Sequence, residues 1–187
     1  MAIAADIQQM FYSFYVHKEH RNYLRFFWYK DHDLSKPLVE YRMCVHVFGN
    51  SPSPAIATYG LRKSAENSEE DVKTFVNKDF YVDDALTSLP TVKEAVSLMK
   101  RTQADLHSDG LVLHKVVSNK EEVVLSFPPD QRAKGLKDLD LSVDFLPVQR
   151  SLGLRWDLNS DSFFFDVTED CKPYTRRGVL SIVNSLF

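Results

Sequence analysis

The sequence predicts an α+β fold, an antiparallel sheet with helices packed on one face. Three observations carry that reading. Strand-like and helix-like stretches are interleaved without the strict alternation of βαβ units. Several strand-like stretches face each other across short polar turns, as hairpins do. Residues 91–108 combine a capping residue, an apolar stripe and a closing glycine, which makes a helix long enough to cover a sheet.

The elements follow in order. Residues 2–6 are small and apolar and read as a short buried strand. Residues 22–30 and 38–47 are rich in aromatic and branched side chains, and the polar loop Asp31–Pro37 between them predicts a hairpin. Ser53-Pro54 supplies an N-cap and an N1 proline for a helix running from about Pro54 towards Glu66. Ser68, followed by Glu69, Glu70 and Asp71, opens a second helix with its acids at the positive end of the dipole. A strand at 78–82 then turns at Asp83-Asp84 and returns as Ala85–Ser88. In the 91–108 helix, Thr91 and Glu94 form a capping box, Val92, Ala95, Val96, Met99 and Leu106 form the stripe, and Gly110 stops it. Strands are expected at 111–117 and 122–126, and Pro128-Pro129 opens a polar linker or exposed excursion over 128–149. Residues 150–158 and 162–167 pair as a hairpin around Asn159-Ser160-Asp161. Thr175 caps a last helix whose stripe is Val179, Leu180, Val183, Leu186 and Phe187. The stripe reaches the final residue, so the chain is expected to continue in its parent.

Composition narrows the classes. The 187 residues are enough for one sizeable domain, and 44% hydrophobic with 26% charged residues is a globular balance. No apolar run approaches a membrane span, and no signal-peptide pattern opens the chain, so no membrane partner is expected. Two cysteines, Cys44 and Cys171, make no disulfide framework and suit a reducing compartment. A net charge of −3 argues against tight nucleic-acid binding by electrostatics alone. His17, His20, His46 and Cys44 read as solvated or isolated groups rather than a zinc site. No phosphate loop, Ser-His-Asp order, CxxC pair or Asp-Ser/Thr-Gly triplet is present.

The chemistry-bearing stretch is Phe80-Tyr81-Val82-Asp83-Asp84, where two adjacent carboxylates end an aromatic strand. Carboxylates held this close are costly unless a cation neutralises them. A third acid, Asp6, stands near the end of the first strand, with the aromatic Phe11 five residues on. Asp6 and Asp83 are 77 positions apart, so only folding can join them. A solvated turn and two unrelated surface acids are the plain alternative.

This order of an acid at a strand end, an aromatic five residues on and a late acid pair resembles motifs A and C of reverse transcriptases. Three further stretches fall in the family's order. His46–Ala55, with Gly49 and Ser53-Pro54, looks like motif B; Gly110 to Lys115 sits where motif D belongs; Ser151–Trp156 resembles the primer-grip hairpin, motif E. Arg21–Phe26, Val39–Met43 and Lys172–Gly178 look like the BEL/Pao class of long-terminal-repeat retrotransposons in particular. The resemblance covers nearly the whole chain.

The resemblance implies a palm with motifs A–D over 1–127, the primer-grip hairpin over 150–168, and the start of a thumb or connection helix over 169–187. It implies RNA-directed DNA polymerisation, with Asp6, Asp83 and Asp84 as the catalytic acids. Two Mg²⁺ ions, or Mn²⁺ in their place, would sit on those acids and the Ile7 carbonyl. Phe11 would bar a 2′-hydroxyl on the incoming nucleotide; on its own it reads as one more core ring among 13 phenylalanines. Phe48 and Gly49 would contact the nucleotide, although Phe48 stands where retroviral relatives carry glutamine and cannot make its hydrogen bonds. Lys115 would protonate the departing pyrophosphate; a solvated lysine, or Lys120 in that role, is the alternative. Leu152, Gly153 and Trp156 would cradle the primer end, or serve as hairpin core. The implied partners are an RNA or DNA template with its primer, deoxynucleoside triphosphates, and the fingers, thumb and ribonuclease H of a polyprotein. The implied setting is cytoplasmic, free or within virus-like particles. The chain begins just before motif A, so the fingers are expected to be missing, and the isolated chain to bind divalent metal weakly and to polymerise poorly or not at all. An inactive retroelement remnant and a nucleic-acid-binding module without turnover are the rival expectations.

Overall fold

A computed structural model describes residues 1–136, 148–151, 154–164 and 173–184. In chain order the elements are β1 (Ala2–Ile7), β2 (Arg25–Tyr29), β3 (Leu38–Arg42), α1 (Ser53–Ser64), α2 (Glu70–Lys78), β4 (Phe80–Tyr81), β5 (Asp84–Ser88), α3 (Val92–Ser108), β6 (Leu113–Ser118), α4 (Glu121–Leu125), β7 (Gln149–Ser151), β8 (Leu154–Asp157), β9 (Ser162–Phe164) and α5 (Arg176–Asn184). Short 3₁₀ turns join several of them. The protein is thus mixed α and β, with antiparallel sheet pairing and packed helices. No helix among the described residues is long and apolar enough to cross a membrane.

The chain divides into two compact units. The first comprises Met1–Asp6, Asp79–Arg101 and His114–Phe187. Its sheet has the strand order β4-β5-β1-β6, and both β4·β5 and β1·β5 are antiparallel. An inner position explains why Ile3, Ala4 and Ala5 are all buried: β1 has neighbours on both edges and small side chains on both faces. Ala4 joins Val117, Val124, Ala133, Leu136, Trp156 and Leu158 in one core cluster, with Ala2 and Leu86 packed against it. The expected β8·β9 hairpin is present, and β7 adds a third strand to it. Thr175 caps α5 as its chemistry predicts, accepting the Gly178 N–H on Oγ1 at 3.1 Å. The Val179, Leu180 and Val183 stripe of α5 is half-exposed, while Leu186 and Phe187 lie outside the described residues.

Two expectations change here. The strand predicted at 122–126 is the helix α4. Consecutive Val123 and Val124 suggest a strand, yet both are buried, which alternation on a half-covered strand forbids, and Glu121 and Glu122 sit at the helix's positive end. The excursion expected over 128–149 is exposed at 128–130, but Ala133 and Leu136 are core residues and Arg132 bridges to Val116. Residues 137–147 lie outside the described residues.

The second unit comprises Ile7–Lys78 and Thr102–Leu113. Its helices α1 and α2 bury Ala57, Leu61, Val72, Phe75 and Val76. Ser53 does not cap α1. It lies inside the helix after Pro52, and its buried hydroxyl stands 3.3 Å from His46 Nδ1. The 22–30 and 38–47 hairpin is present as β2 paired with β3 in a separate two-stranded sheet.

Candidate functional site

The first unit brings the early acid beside the late pair. Along β1 the apolar rungs end at Asp6, whose side chain is 26% exposed. The antiparallel register sets Asp6 directly opposite Asp84. Residues paired this way project from one face with Cβ atoms about 4.5–5.5 Å apart. Ala2 and Ala4 occupy the same face of β1, so the Trp156 cluster lies one rung from the acids.

Tyr81 pairs with Asp84 on the far edge of β5, which leaves Val82 and Asp83 as a two-residue turn. Val82 has φ of 57°. A left-handed first turn residue lets a short hairpin follow the sheet's twist, but glycine normally fills it. A β-branched side chain there carries strain of about 1–3 kcal/mol. The base of the hairpin is pinned by Asp79, which accepts the Thr87 hydroxyl at 2.8 Å and, on its carbonyl, the Leu86 N–H at 3.0 Å.

Burial pushes the Asp84 carboxyl above the usual aspartate range, and repulsion from Asp83 and Asp6 adds to it, with Lys115 partly offsetting. Asp83 is also raised, by burial first and then by Asp6, against a lowering hydrogen bond from its own backbone and the charge of Lys115. The acids therefore repel one another, which is the condition under which a cation is favoured.

Two groups from β6 reach Asp6. His114 Nε2 lies 3.0 Å from Oδ1, and Lys115 Nζ donates to Oδ2 at 3.2 Å. Neighbours in a regular strand point to opposite faces. Lys115 has φ of 53°, which breaks the alternation and lets both side chains meet one carboxylate. Sequence reasoning named Lys115 and missed His114. The available signal was two polar residues interrupting the apolar run Leu111–Val117.

The second unit brings Phe11, Phe48 and Gly49 together. Phe11 is buried in a 3₁₀ turn, and Phe48 meets it edge-on, with centroids 4.6 Å apart and planes at 85°. Phe48 itself is 65% exposed, an aromatic face open to a ligand. Gly49 has φ of 81° and open space where a side chain would stand. Glycine is needed there for its backbone angle, not for room. Ile7, the last residue of β1, is buried in this unit.

Of the expected primer-grip residues, Trp156 is fully buried. Its Nε1–H donates to Asp161 Oδ1 at 3.1 Å, and its ring stacks on Phe163 at 5.5 Å. It is the anchor of the hairpin and does not present its ring to a ligand. Leu152 and Gly153 lie outside the described residues.

Among the described residues, no group of three or more His, Cys, Asp or Glu side chains is arranged to hold a metal ion. Both Asp6 oxygens are engaged by His114 and Lys115. The donor chemistry nevertheless fits magnesium, since three carboxylates supply hard oxygens. Comparison with known proteins finds no matching family model and no matching curated relative.

Proposed function

We propose that this chain is the palm region of a reverse transcriptase of BEL/Pao type and that its acids serve RNA-directed DNA polymerisation. One observation carries the reading: Asp6 stands opposite Asp84 across β1·β5, with Asp83 held beside them in a strained turn. Mg²⁺ or Mn²⁺ on Asp6, Asp83, Asp84 and the Ile7 carbonyl would supply the acidity of the primer 3′-hydroxyl and the neutralisation of the triphosphate. For that, Asp6 must release Lys115, whose ammonium is then free to donate a proton to the departing pyrophosphate. Phe11 excludes a 2′-hydroxyl by its bulk, braced edge-on by Phe48. Gly49 lets the backbone approach the nucleotide, and Trp156 fixes the β8·β9 hairpin. Template, primer and deoxynucleoside triphosphates are the partners of this reading, together with the fingers, thumb and ribonuclease H of a parent polyprotein in the cytoplasm.

A second reading keeps the fold without turnover, as a remnant or a nucleic-acid-binding module. The observation in its favour is that Asp6 is already neutralised by protein groups. Primer extension with Mg²⁺ or Mn²⁺, by the chain joined to a fingers region, separates the two. Under the polymerase reading the wild type extends and Asp83→Asn does not. Equal extension by both removes Asp83 from the chemistry, and none by either favours the second reading.

A further inference from the structure

The hairpin of β2 and β3 is a two-stranded ribbon with no third strand among the described residues. Such ribbons are marginal in water without something laid against them. Its register sorts the side chains into two faces. Phe26, Trp28, Val39 and Tyr41 share one, where Phe26 stacks on Tyr41 with centroids 5.9 Å apart. The other carries Arg25, Phe27, Glu40 and Arg42. Phe27 is the most exposed aromatic of the ribbon, at 69%. Arg25 and Arg42 are direct cross-strand partners, an arrangement that is unfavourable unless an anion joins them. Glu40 pairs with Arg25, at 3.2 Å, while Arg42 donates to the neutral Asn22 at 3.2 Å. Charge along the chain points the same way. Residues 15–43 hold six Lys or Arg against four Asp or Glu, whereas the whole chain holds 23 against 26.

We propose that the Arg25–Phe27–Arg42 face of this ribbon binds single-stranded nucleic acid, with a base stacked on Phe27 and phosphates on the two arginines. An open aromatic ring one rung from a pair of cations is an arrangement that holds single strands without sequence preference, because every base offers a π-face, and Glu40, directly opposite Phe27, is drawn off by Arg25. The purely apolar Trp28 face has no charge for a phosphate and takes no part. The proposal shares a nucleic-acid partner with the polymerase reading but uses none of its acids, so either can fail alone.

The test is fluorescence anisotropy of a labelled oligothymidylate titrated with the full chain over a range of salt. Phe27→Ala weakens binding about ten-fold or more, as does Phe27→Leu, which keeps an apolar side chain in the ribbon, and Phe27→Trp restores it. Arg42→Gln lowers the slope of log K against log salt by about 0.7, and Arg42→Lys does not. Trp28→Phe, on the opposite face of the ribbon, binds as the wild type does. Absence of binding at low salt overturns the proposal, as does binding that Phe27→Leu and Arg42→Gln leave unchanged. Self-association of the chain that Phe27→Leu abolishes also overturns it, by making the ribbon an interface between copies.

Discussion

Replacing Asp84 by Asn should stabilise the protein in the absence of metal. Asp84 faces Asp6 across one rung and follows Asp83, and His114 and Lys115 both pair with Asp6. Like charges directly opposite in a sheet cost about 0.2–1 kcal/mol, and the substitution removes one of them while keeping size and shape. The gain depends on pH, with a definite sign. Asp83 and Asp84 have raised folded-state pKa values, so the native state holds their protons more tightly than the unfolded chain. Their destabilising effect is therefore absent below the ordinary aspartate range and grows as pH rises through the raised values. Urea midpoints in EDTA should show Asp84→Asn above wild type at neutral pH and level with it near about pH 3. Magnesium should reverse the order at neutral pH. A ligand at ten times its Kd adds roughly 1.4 kcal/mol to the native state, and only the wild type keeps all three acids. A loss of more than about 1 kcal/mol in Asp84→Asn at neutral pH, without metal, would show Asp84 to be a structural acceptor and refute the reasoning.

Other changes test the parts that position the site. Val82→Gly relieves a left-handed φ worth about 1–3 kcal/mol, against about 0.5–1 kcal/mol of added chain entropy, so a rise in urea midpoint is expected. Trp156→Ala should cost about 3–5 kcal/mol in the same assay, since the ring is fully buried and its N–H is bonded to Asp161. Lys115→Met removes the cation that competes for Asp6, so calorimetry should show tighter Mn²⁺ binding. The same variant should slow primer extension.

The parts of the fold that follow from local rules were legible before the structure. The 2–6 strand, the 91–108 helix and the Thr175 cap each rest on a few neighbouring residues whose chemistry is plain, whereas the turn expected at Asp83-Asp84 falls one residue earlier, at Val82-Asp83, with Asp84 opening β5. The misses depend on tertiary context. Val123 and Val124 have strand preference, yet both are buried in a short helix, Val124 in a cluster with Trp156 and Leu136, which come later in the chain. Ser53 has the chemistry of a cap but is drawn to His46. For the site, the meeting of Asp6 with Asp83 and Asp84 was an expectation from motif order, and the register realises it for Asp6 and Asp84. His114 escaped notice because only the irregular φ at Lys115 turns both residues to one carboxylate. Trp156 shows the limit of a motif: its place in the hairpin was legible, its burial was not.

The sharpest question is whether these carboxylates act as one cation site. Electron paramagnetic resonance of Mn²⁺ titrated into the wild type, Asp6→Asn and Asp83→Asn answers it directly. Wild type should bind the ion, and either substitution alone should lose it, because the donors come from β1 and from the β4·β5 turn. Undiminished binding in both variants would place the ion elsewhere and leave the three acids without a shared role.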